Sequence, residues 1–352
     1  MAWSSILGHE DAVGRLRESI ARGRLSHAYL FVGPDGVGKA LVARELAKTL
    51  LCDREADAAC DACGPCRKVA HGNHPDVTVL GRIERTAKGQ RKTRIVIDQV
   101  REEIQGPIAY KPFEGRWKVY VVEDAGRMSE AAQNCLLKTL EEPPPHSLLI
   151  LVADRLEPFV DTVVSRCQVV RFRPLAAEQV EAILAARAEL ESAQAAVLAR
   201  LSEGSPGRAL GYHEAGTYET ACWLLEELGS MPAAGGFVLA GDLLDRAKEK
   251  GSRLEDARVA LRPVLELLTL AWRDLLVRAS GYSESLLVWG DASPALLALG
   301  EGLSATQARR LVERTLAARD QLDANANIKL LLETLILDLR EALRGRLHTV
   351  PR

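Results

Sequence analysis

Aromatic residues are scarce in this chain, and neither a long apolar run nor an export signal is present. Phe, Trp and Tyr make up 5% of the 352 residues, so we expect a core of Leu, Val, Ile and Ala, which favours helices. No apolar run approaches the roughly 18 residues that a membrane span needs. The first residues do not form the basic segment and apolar segment of a signal peptide. These absences predict a cytoplasmic protein.

An excess of charge of either sign is also missing. The 46 Lys and Arg nearly balance 48 Asp and Glu, which gives a net charge of −2, so the protein is not expected to coat nucleic acid by bulk charge. The basic segment 82–94 is a local exception that could contact DNA phosphates. A solvated loop tip explains it equally well, and no aromatic residue interrupts it to stack on bases.

Short apolar runs alternate with helical patterns in the first half of the chain. We predict six strands, at 27–32, 77–80, 95–97, 119–122, 148–153 and 168–172. Amphipathic patterns predict helices between them, up to residue 51, over 98–105 and over 129–142. Apolar strands that alternate with helices predict a parallel sheet covered on both faces.

The strand pattern ends after Pro174. Residues 174–215 read as short helices interrupted at a Gly-Ser-Pro-Gly turn, and 216–352 as longer helices rich in Leu, Ala, Glu and Arg. We therefore predict an α/β fold followed by an all-α part. The predicted domains are a nucleotide-binding-type core at 1–173, a small helical domain at 174–215 and a helical domain at 216–352.

A glycine-rich segment between the first strand and its helix has the spacing of a phosphate-binding loop (P-loop). The pattern Gly-x-x-x-x-Gly-Lys is carried by Gly33, Gly36, Gly38 and Lys39. It follows a strand and opens a helix, as the motif requires, which disfavours a coincidental glycine-rich turn. Backbone N–H groups there can hold the phosphates of ATP or ADP, and Lys39 can reach the β- and γ-oxygens.

Two positions near this loop differ from a working ATPase. Ala40 stands where a Ser or Thr hydroxyl would bind Mg²⁺. The acidic pair after the fourth strand is Glu123-Asp124, whereas an active site of this class has Asp-Glu, so Asp124 is one methylene short of the water-activating glutamate. A displacement of about 1 Å can cost on the order of a hundredfold in rate. An exposed acidic pair that ends a strand is the alternative, but both departures predict little or no hydrolysis.

Four of the seven cysteines crowd into residues 52–66. Their spacing is C-x7-C-x2-C-x2-C, carried by Cys52, Cys60, Cys63 and Cys66. Four thiolates suit a closed tetrahedral zinc site with no open position for water, so we predict a structural zinc. His71 and His74 follow closely, but four cysteines already complete the ligand shell. Free buried thiols are the alternative.

The tripeptide Ser165-Arg166-Cys167 precedes the sixth predicted strand. An arginine at the edge of an α/β core can reach a phosphate bound by a neighbouring subunit and stabilise the transition state there. On spacing alone, a surface ion pair is the commoner explanation for such an arginine.

Taken together, these residues resemble the delta-prime subunits of bacterial DNA polymerase III clamp loaders, a family within the AAA+ proteins. The resemblance covers essentially the whole chain and is strongest from about residue 6 to 210. Its motifs are Gly8-His9, the four cysteines with His74-Pro75-Asp76, the helix at 136–144, Ser165-Arg166-Cys167, the segment 204–210 and Asn325-Ala-Asn327.

The resemblance implies both a fold and a role. It implies an AAA+ core with a zinc module at 52–66, a helical lid and a helical collar for oligomerisation. In this family Arg166, with Ser165 beside it, would be an arginine finger for ATP on a neighbouring gamma or tau subunit. The implied partners are the gamma or tau and delta subunits and, through the complex, the sliding clamp and primed DNA of the polymerase holoenzyme.

Departures from the family's ATPase subunits are concentrated at the nucleotide site. Besides Ala40 and Glu123-Asp124, Ala153-Asp154 replaces a small polar residue at the first sensor. Gly207 takes the place of the second-sensor arginine, with Arg208 one residue displaced. These departures favour a passive subunit. The alternatives are an active gamma- or tau-type subunit, an autonomous remodelling ATPase, or a scaffold in which Arg166 is silent, and nucleotide binding without turnover stays open.

Overall fold

The computed structural model describes residues 3, 6–54, 58–81, 94–188, 190–232, 235–249 and 254–344. The chain divides into two compact units, Met1–Gln179 and Val180–Arg352. The finer division into three domains stays a prediction. The predicted basic segment 82–94 lies outside the described residues except for Arg94.

The first unit is built on a parallel five-stranded sheet with the order β2-β3-β4-β1-β5. The strands are β1 (Ala28–Val32), β2 (Val77–Leu80), β3 (Lys118–Val122), β4 (Ser147–Ala153) and β5 (Gln168–Arg171). Every residue of the central strands β1 and β4 is buried, because helices cover both faces of the sheet. This confirms the predicted α/β fold and its parallel sheet.

Two apolar cores lie on opposite faces of this sheet. The helices are α1 (Glu10–Ala21), α2 (Lys39–Leu51), α3 (Gly64–Ala70), α4 (Ile97–Val100), α5 (Glu130–Glu141), α6 (Asp161–Val164) and α7 (Ala177–Ala188), the last of which contains the unit boundary. One core joins Phe31 of β1 to Leu46 of α2. The other joins Leu30 of β1 to Leu136 of α5. Alternate side chains of one strand thus anchor the helices of both layers.

One of the six predicted strands, at 95–97, is not formed. Ile95 makes only an isolated parallel bridge with Met128, and Ile97 already begins α4, which continues as the π-helical turn Arg101–Gln105. The Gln99 side chain accepts a hydrogen bond from the Val96 N–H over 3.2 Å, which caps this helix. A short apolar run does not by itself distinguish a strand from a buried helix start.

Every regular element among the described residues of the second unit is a helix. Its helices are α8 (Ser192–Leu201), α9 (Pro206–Glu214), α10 (Thr217–Ser230), α11 (Gly236–Glu249), α12 (Leu254–Ala279), α13 (Pro294–Gly300), α14 (Ala305–Asp323) and α15 (Ile328–Arg344), with a 3₁₀ turn at Glu284–Leu286. Trp272 of α12 and Leu332 of α15 lie fully in its core. The buried Asp274 carboxylate accepts the N–H groups of Val288 and Trp289 over 2.8 and 2.7 Å. None of the helices in the described chain has the length and apolar character of a membrane span.

Candidate functional site

The glycine-rich loop lies between β1 and α2, at the carboxyl end of the sheet. Gly36 and Gly38 have φ values of +73° and +113°, which side-chain-bearing residues adopt only with strain. At Gly33 a Cβ atom would collide with the Phe172 carbonyl oxygen just after β5. These glycines therefore let the backbone turn sharply from strand to helix, as the motif predicted.

A tether from the start of the chain fixes this loop. His9 is buried at the N-terminus of α1, and its Nε2 donates to the Val37 carbonyl oxygen over 2.7 Å. Its ring packs edge-on against Phe172 with 4.9 Å between centroids. The sequence motif at Gly8-His9 thus serves to hold the loop backbone in place.

A cavity of about 230 Å³ opens beside the loop. It is lined by Asp35, Gly36, Gly38, Lys39, Ala40, Leu41, Glu123, Asp124, Val152 and Asp154. The fold therefore brings together the loop residues and the acidic pair that the sequence proposed from separate motifs. Two further carboxylates, Asp35 and Asp154, share the cavity with them. The sequence placed Asp154 at the first sensor but gave no role to either carboxylate.

Lys39 turns back onto its own loop. Its side chain is only 6% exposed, and Nζ donates to the carbonyl oxygens of Gly33 and Pro34 over 2.5 and 2.7 Å. Nζ also lies 3.4 Å from a carboxylate oxygen of Asp154. Burial lowers the pKa of Lys39, and the carboxylates of Asp154, Asp35 and Asp124 counteract part of that effect.

The positions that depart from a working ATPase, Ala40 and the acidic pair Glu123-Asp124, line the same cavity as Lys39. Ala40 presents a methyl group there and no oxygen. Glu123 is fixed by its N–H, which donates to the Leu80 carbonyl over 2.8 Å. Asp124 has a left-handed backbone with φ of 52° and lies 3.9 Å from Arg127 in a weak ion pair. The acidic pair is thus held at the end of β3, beside the loop.

The four clustered cysteines converge at one point between α2 and α3. The sulfur atoms of Cys52, Cys60, Cys63 and Cys66 all lie within 4.8 Å of one another, with Cys52 and Cys63 4.0 Å apart. A tetrahedral metal with metal–sulfur bonds of about 2.3 Å would place the sulfurs about 3.8 Å apart. The cluster therefore fits a single metal ion held by four thiolates, and no histidine belongs to it.

The surroundings of the cluster act on the pKa values of its thiols in opposite directions. Burial alone would raise the pKa of Cys63, but backbone N–H groups of Asp53 and Cys66 outweigh it and hold the pKa of this thiol below its ordinary value. Burial raises the pKa of Cys66. Nearby, the Lys48 ammonium pairs with Asp61 over 2.5 Å and with Glu45 over 2.7 Å, which ties α2 to the segment that carries the ligands.

Just beyond the cluster, Asp76 holds the loop that leads into β3. Its carboxylate accepts three backbone N–H groups, from Phe113, Glu114 and Gly115, over 2.5, 2.9 and 2.7 Å. Burial alone would raise the pKa of Asp76, but these bonds outweigh it and lower the pKa. His74 beside it has no exposed side-chain surface, and burial lowers its pKa. The Asp76 N–H also donates to His74 Nδ1 over 3.1 Å, so the two residues brace each other beside the cysteine cluster.

Arg166 lies in the turn between α6 and β5. Its guanidinium pairs with Glu141 at the end of α5 over 2.9 Å and donates to the Thr162 carbonyl over 3.0 Å, while its side chain stays 36% exposed. Ser165 donates its hydroxyl to Thr162 over 3.1 Å. The ion pair that spacing alone favoured is therefore present, and the guanidinium is still reachable from outside.

Arg166 and the glycine-rich loop lie at opposite ends of the sheet. The loop follows β1, whereas Arg166 precedes β5, and the two strands pair in parallel with Tyr29 opposite Gln168. A five-residue strand such as β1 is roughly 16 Å long. Arg166 therefore cannot reach a phosphate held in its own chain's loop.

Comparison with known proteins finds relatives for the whole chain and for its first half. The family model described as DNA polymerase III, delta subunit, matches residues 8–176. DNA polymerase III subunit delta' of Bacillus subtilis is 28% identical over 340 residues, which are 93% of this chain and 94% of that protein. Subunit delta' of Pseudomonas aeruginosa is 36% identical over 207 residues, or 58% of this chain and 61% of that protein.

The chain also matches part of a longer protein. DNA polymerase III subunit tau of Escherichia coli is 35% identical over 179 residues, which are 51% of this chain but 26% of that protein. Among solved structures, a DNA polymerase III gamma subunit-related protein from Thermotoga maritima has 17% identity and a TM-score of 0.48, and the match covers 95% of this chain and all of that one.

Proposed function

Because the chain belongs to the family of bacterial DNA polymerase III clamp-loader subunits, we propose that it works as a delta'-type member that assists hydrolysis without performing it. In this role Arg166 acts as an arginine finger for ATP bound by an adjacent subunit. The chain's own loop is degenerate. The protein then helps to load a sliding clamp onto primed DNA through the ring in which it assembles.

The observation that carries this proposal is the separation of Arg166 from its own loop by the length of β1. A guanidinium that cannot serve its own nucleotide is of catalytic use only to a phosphate on another chain. Its 36% exposure and its single carboxylate partner leave it able to exchange Glu141 for such a phosphate. Planar, bidentate recognition of phosphate oxygens is what a guanidinium provides.

The proposal that the chain's own loop does not hydrolyse ATP rests on Ala40 and on the acidic pair Glu123-Asp124. Without a hydroxyl after Lys39, the loop lacks one of the oxygens that hold Mg²⁺ on the phosphates. With Asp124 at the position of the water-activating glutamate, the carboxylate is set back from the attacking water by about one methylene, a displacement that can cost on the order of a hundredfold in rate.

The first experiment is steady-state ATP hydrolysis by the purified chain alone, with Lys39→Ala as the matched control. We expect no turnover above the control, because the groups that would hold Mg²⁺ and activate water are absent or displaced. Turnover that Lys39→Ala abolishes would contradict the proposal.

A second candidate function is an active AAA+ ATPase, either a gamma- or tau-type subunit or an autonomous remodelling enzyme. It is favoured by the loop itself, because Gly36, Gly38 and Lys39 keep the strand-to-helix geometry and border a cavity of about 230 Å³. The same hydrolysis experiment separates this candidate from the first, since only the second predicts turnover.

The proposed partners follow from the ring. They are gamma or tau and delta subunits by direct contact, with the helical second unit as the collar, and the sliding clamp and primed DNA through the complex. Work on chromosomal DNA would place the protein in the bacterial cytoplasm, as the sequence predicts. Co-purification with gamma and delta, followed by clamp loading on primed DNA, tests these assignments.

The four clustered cysteines are proposed to hold a structural Zn²⁺. Four thiolates complete a tetrahedral shell and leave no position for water, so the ion would stabilise the segment between α2 and α3 and would take no part in chemistry. The convergence of the four sulfurs within 4.8 Å supports this role.

A further inference from the structure

Asp154 lies at the first-sensor position, where the family resemblance leads us to expect a small polar residue and not a carboxylate. It directly follows β4, which lies next to β1 in the sheet with Val32 opposite Ala153. The Gly33 N–H donates to the Ala153 carbonyl over 3.2 Å, so the residue after Ala153 is brought to the mouth of the loop. Its carboxylate lies 3.4 Å from Lys39 Nζ and is 64% exposed. It is thus an exposed anion held against a buried cation.

We propose that Asp154 is a specificity-determining residue that acts as an internal counter-ion of Lys39 and excludes nucleoside triphosphates from the loop. Its carboxylate forms with Lys39 the ion pair that a phosphate oxygen of a bound nucleotide would otherwise form. This inference rests on the proposed function, in which the loop is passive. It adds that the loop is passive at the binding step, before any question of hydrolysis arises.

The contacts of Lys39 support competition between Asp154 and phosphate. The ammonium group has three acceptors within the protein, the carbonyls of Gly33 and Pro34 and the Asp154 carboxylate. An ammonium offers only three donors. A phosphate oxygen must therefore displace at least one of these acceptors, and the anionic one repels the incoming phosphate as well.

The charge of the cavity acts in the same direction. Four carboxylates and one ammonium line it, a formal charge of −3. Like charges a few ångströms apart repel, and they repel more strongly near a protein surface than in water. Each additional phosphate group adds to this repulsion, so the binding of ATP is weakened more than the binding of ADP. Asp154 is in direct contact with the lysine that a nucleotide needs.

The competing explanation is a surface ion pair of no consequence. Ion pairs at the surface typically contribute little to stability. If that explanation holds, removing the Asp154 carboxylate leaves the affinity for nucleotide unchanged.

The test is the affinity of the full-length chain for ATP and for ADP, each with Mg²⁺ and with EDTA, measured by calorimetry. Asp154→Asn keeps the shape of the side chain and removes its charge. We expect it to tighten ATP binding about tenfold or more and ADP binding less. A further Lys39→Ala substitution in the same chain should abolish the gain, because the gain depends on the freed ammonium group.

The matched control is Asp98→Asn, which removes the same charge from an exposed position that does not line the cavity. The inference is overturned if Asp154→Asn binds ATP no more tightly than the wild type. It is equally overturned if Asp98→Asn gives the same gain, or if the gain survives loss of Lys39. Hydrolysis is measured separately, so tighter binding without turnover supports the inference and leaves the passive role intact, whereas turnover in the wild type contradicts the passive role alone.

Discussion

Single residues outside the glycine-rich loop and the cysteine cluster hold the site in shape, and Asp76 is the clearest case. Its carboxylate gathers three successive N–H groups of the loop 113–115, which leads into β3. Since β3 ends at the acidic pair, a shift of this loop would also shift the positions of Glu123 and Asp124.

We expect Asp76→Asn to lower the free energy of unfolding by about 1–3 kcal/mol at pH 7, the usual effect of weakening charge-assisted hydrogen bonds of a buried group. The amides lower the pKa of Asp76 in the folded state below its value of about 3.9 in an unfolded chain. The stabilisation is therefore complete above the unfolded pKa and is lost as the pH falls through the lower, folded one.

Urea unfolding of the wild type and of Asp76→Asn at a series of pH values measures this difference. The two stabilities should be furthest apart at neutral pH and should converge as the pH falls below the folded-state pKa of Asp76. A difference that stays constant down to acid pH would show that the carboxylate's charge is not what matters. Asp98→Asn, at an exposed carboxylate 3.9 Å from Arg101, is the control.

At this scale the sequence predicts the residues of the glycine-rich loop but not the partners of Lys39 or Arg166. The loop residues are adjacent in the chain and their spacing is dictated by the turn, so the pattern is visible. Asp154 is 115 positions from Lys39 and meets it only because β4 lies beside β1. Glu141 likewise contacts Arg166 only because of the way α5 packs. The local sequence pattern around these residues predicts neither ion pair.

Among the elements, the segment that joins α2 to α3 depends most on a group outside the protein chain. Cys52 ends α2, Cys63 caps α3, and Cys60 accepts the Cys63 N–H over 3.3 Å. A segment this short has little apolar surface to bury, so metal binding and local folding are expected to be linked.

We expect about one zinc per chain in protein purified without chelator, and a loosened α3 segment after chelation. Elemental analysis gives the stoichiometry, and hydrogen exchange over residues 58–70 reports the folding. Cys52→Ser should lose most of the metal because it removes one of four ligands. Cys135→Ser is the matched control, since Cys135 lies outside the cluster and donates to Gln105 over 3.1 Å. Metal-free wild-type protein, or equal metal loss in the control, would contradict the prediction.

The elements also show where sequence patterns are ambiguous. The longer apolar strands were recognisable because both of their faces are buried. The run at 95–97 looks similar, but Val100 and Ile104 continue its burial at helical spacing, and the Gln99 side chain caps the turn. Whether these residues form a strand or a helix depends on the tertiary contacts of the residues that follow. A run of three residues is too short to show those contacts in its pattern.

On the scale of the whole molecule, the proposed role can be tested only in an assembly. We expect Arg166→Ala to lower ATP hydrolysis at the adjacent site of a reconstituted ring at least tenfold, since arginine fingers contribute on the order of 10³ to 10⁵. The bulk rate should fall less, because the other sites of the ring keep their own arginines.

Single-turnover hydrolysis with one active site per ring resolves the site that matters. Arg22→Ala is the matched control, because Arg22 also forms an exposed ion pair with a glutamate, Glu18, over 2.5 Å. Arg166→Lys keeps the charge without the planar fork and should restore little activity. An unchanged rate in Arg166→Ala would leave the chain as a scaffold.

The placement of Arg166 and the glycine-rich loop at the two ends of β1 gives each copy of such a chain a direction. In the proposed assembly, each such chain would use Arg166 to assist ATP hydrolysis on one neighbouring chain only, and not in its own loop. A member with a silent loop then stands at the end of a row of such chains, where it gives help and needs none. The order of the chains, and not only their number, would then determine how many sites hydrolyse ATP.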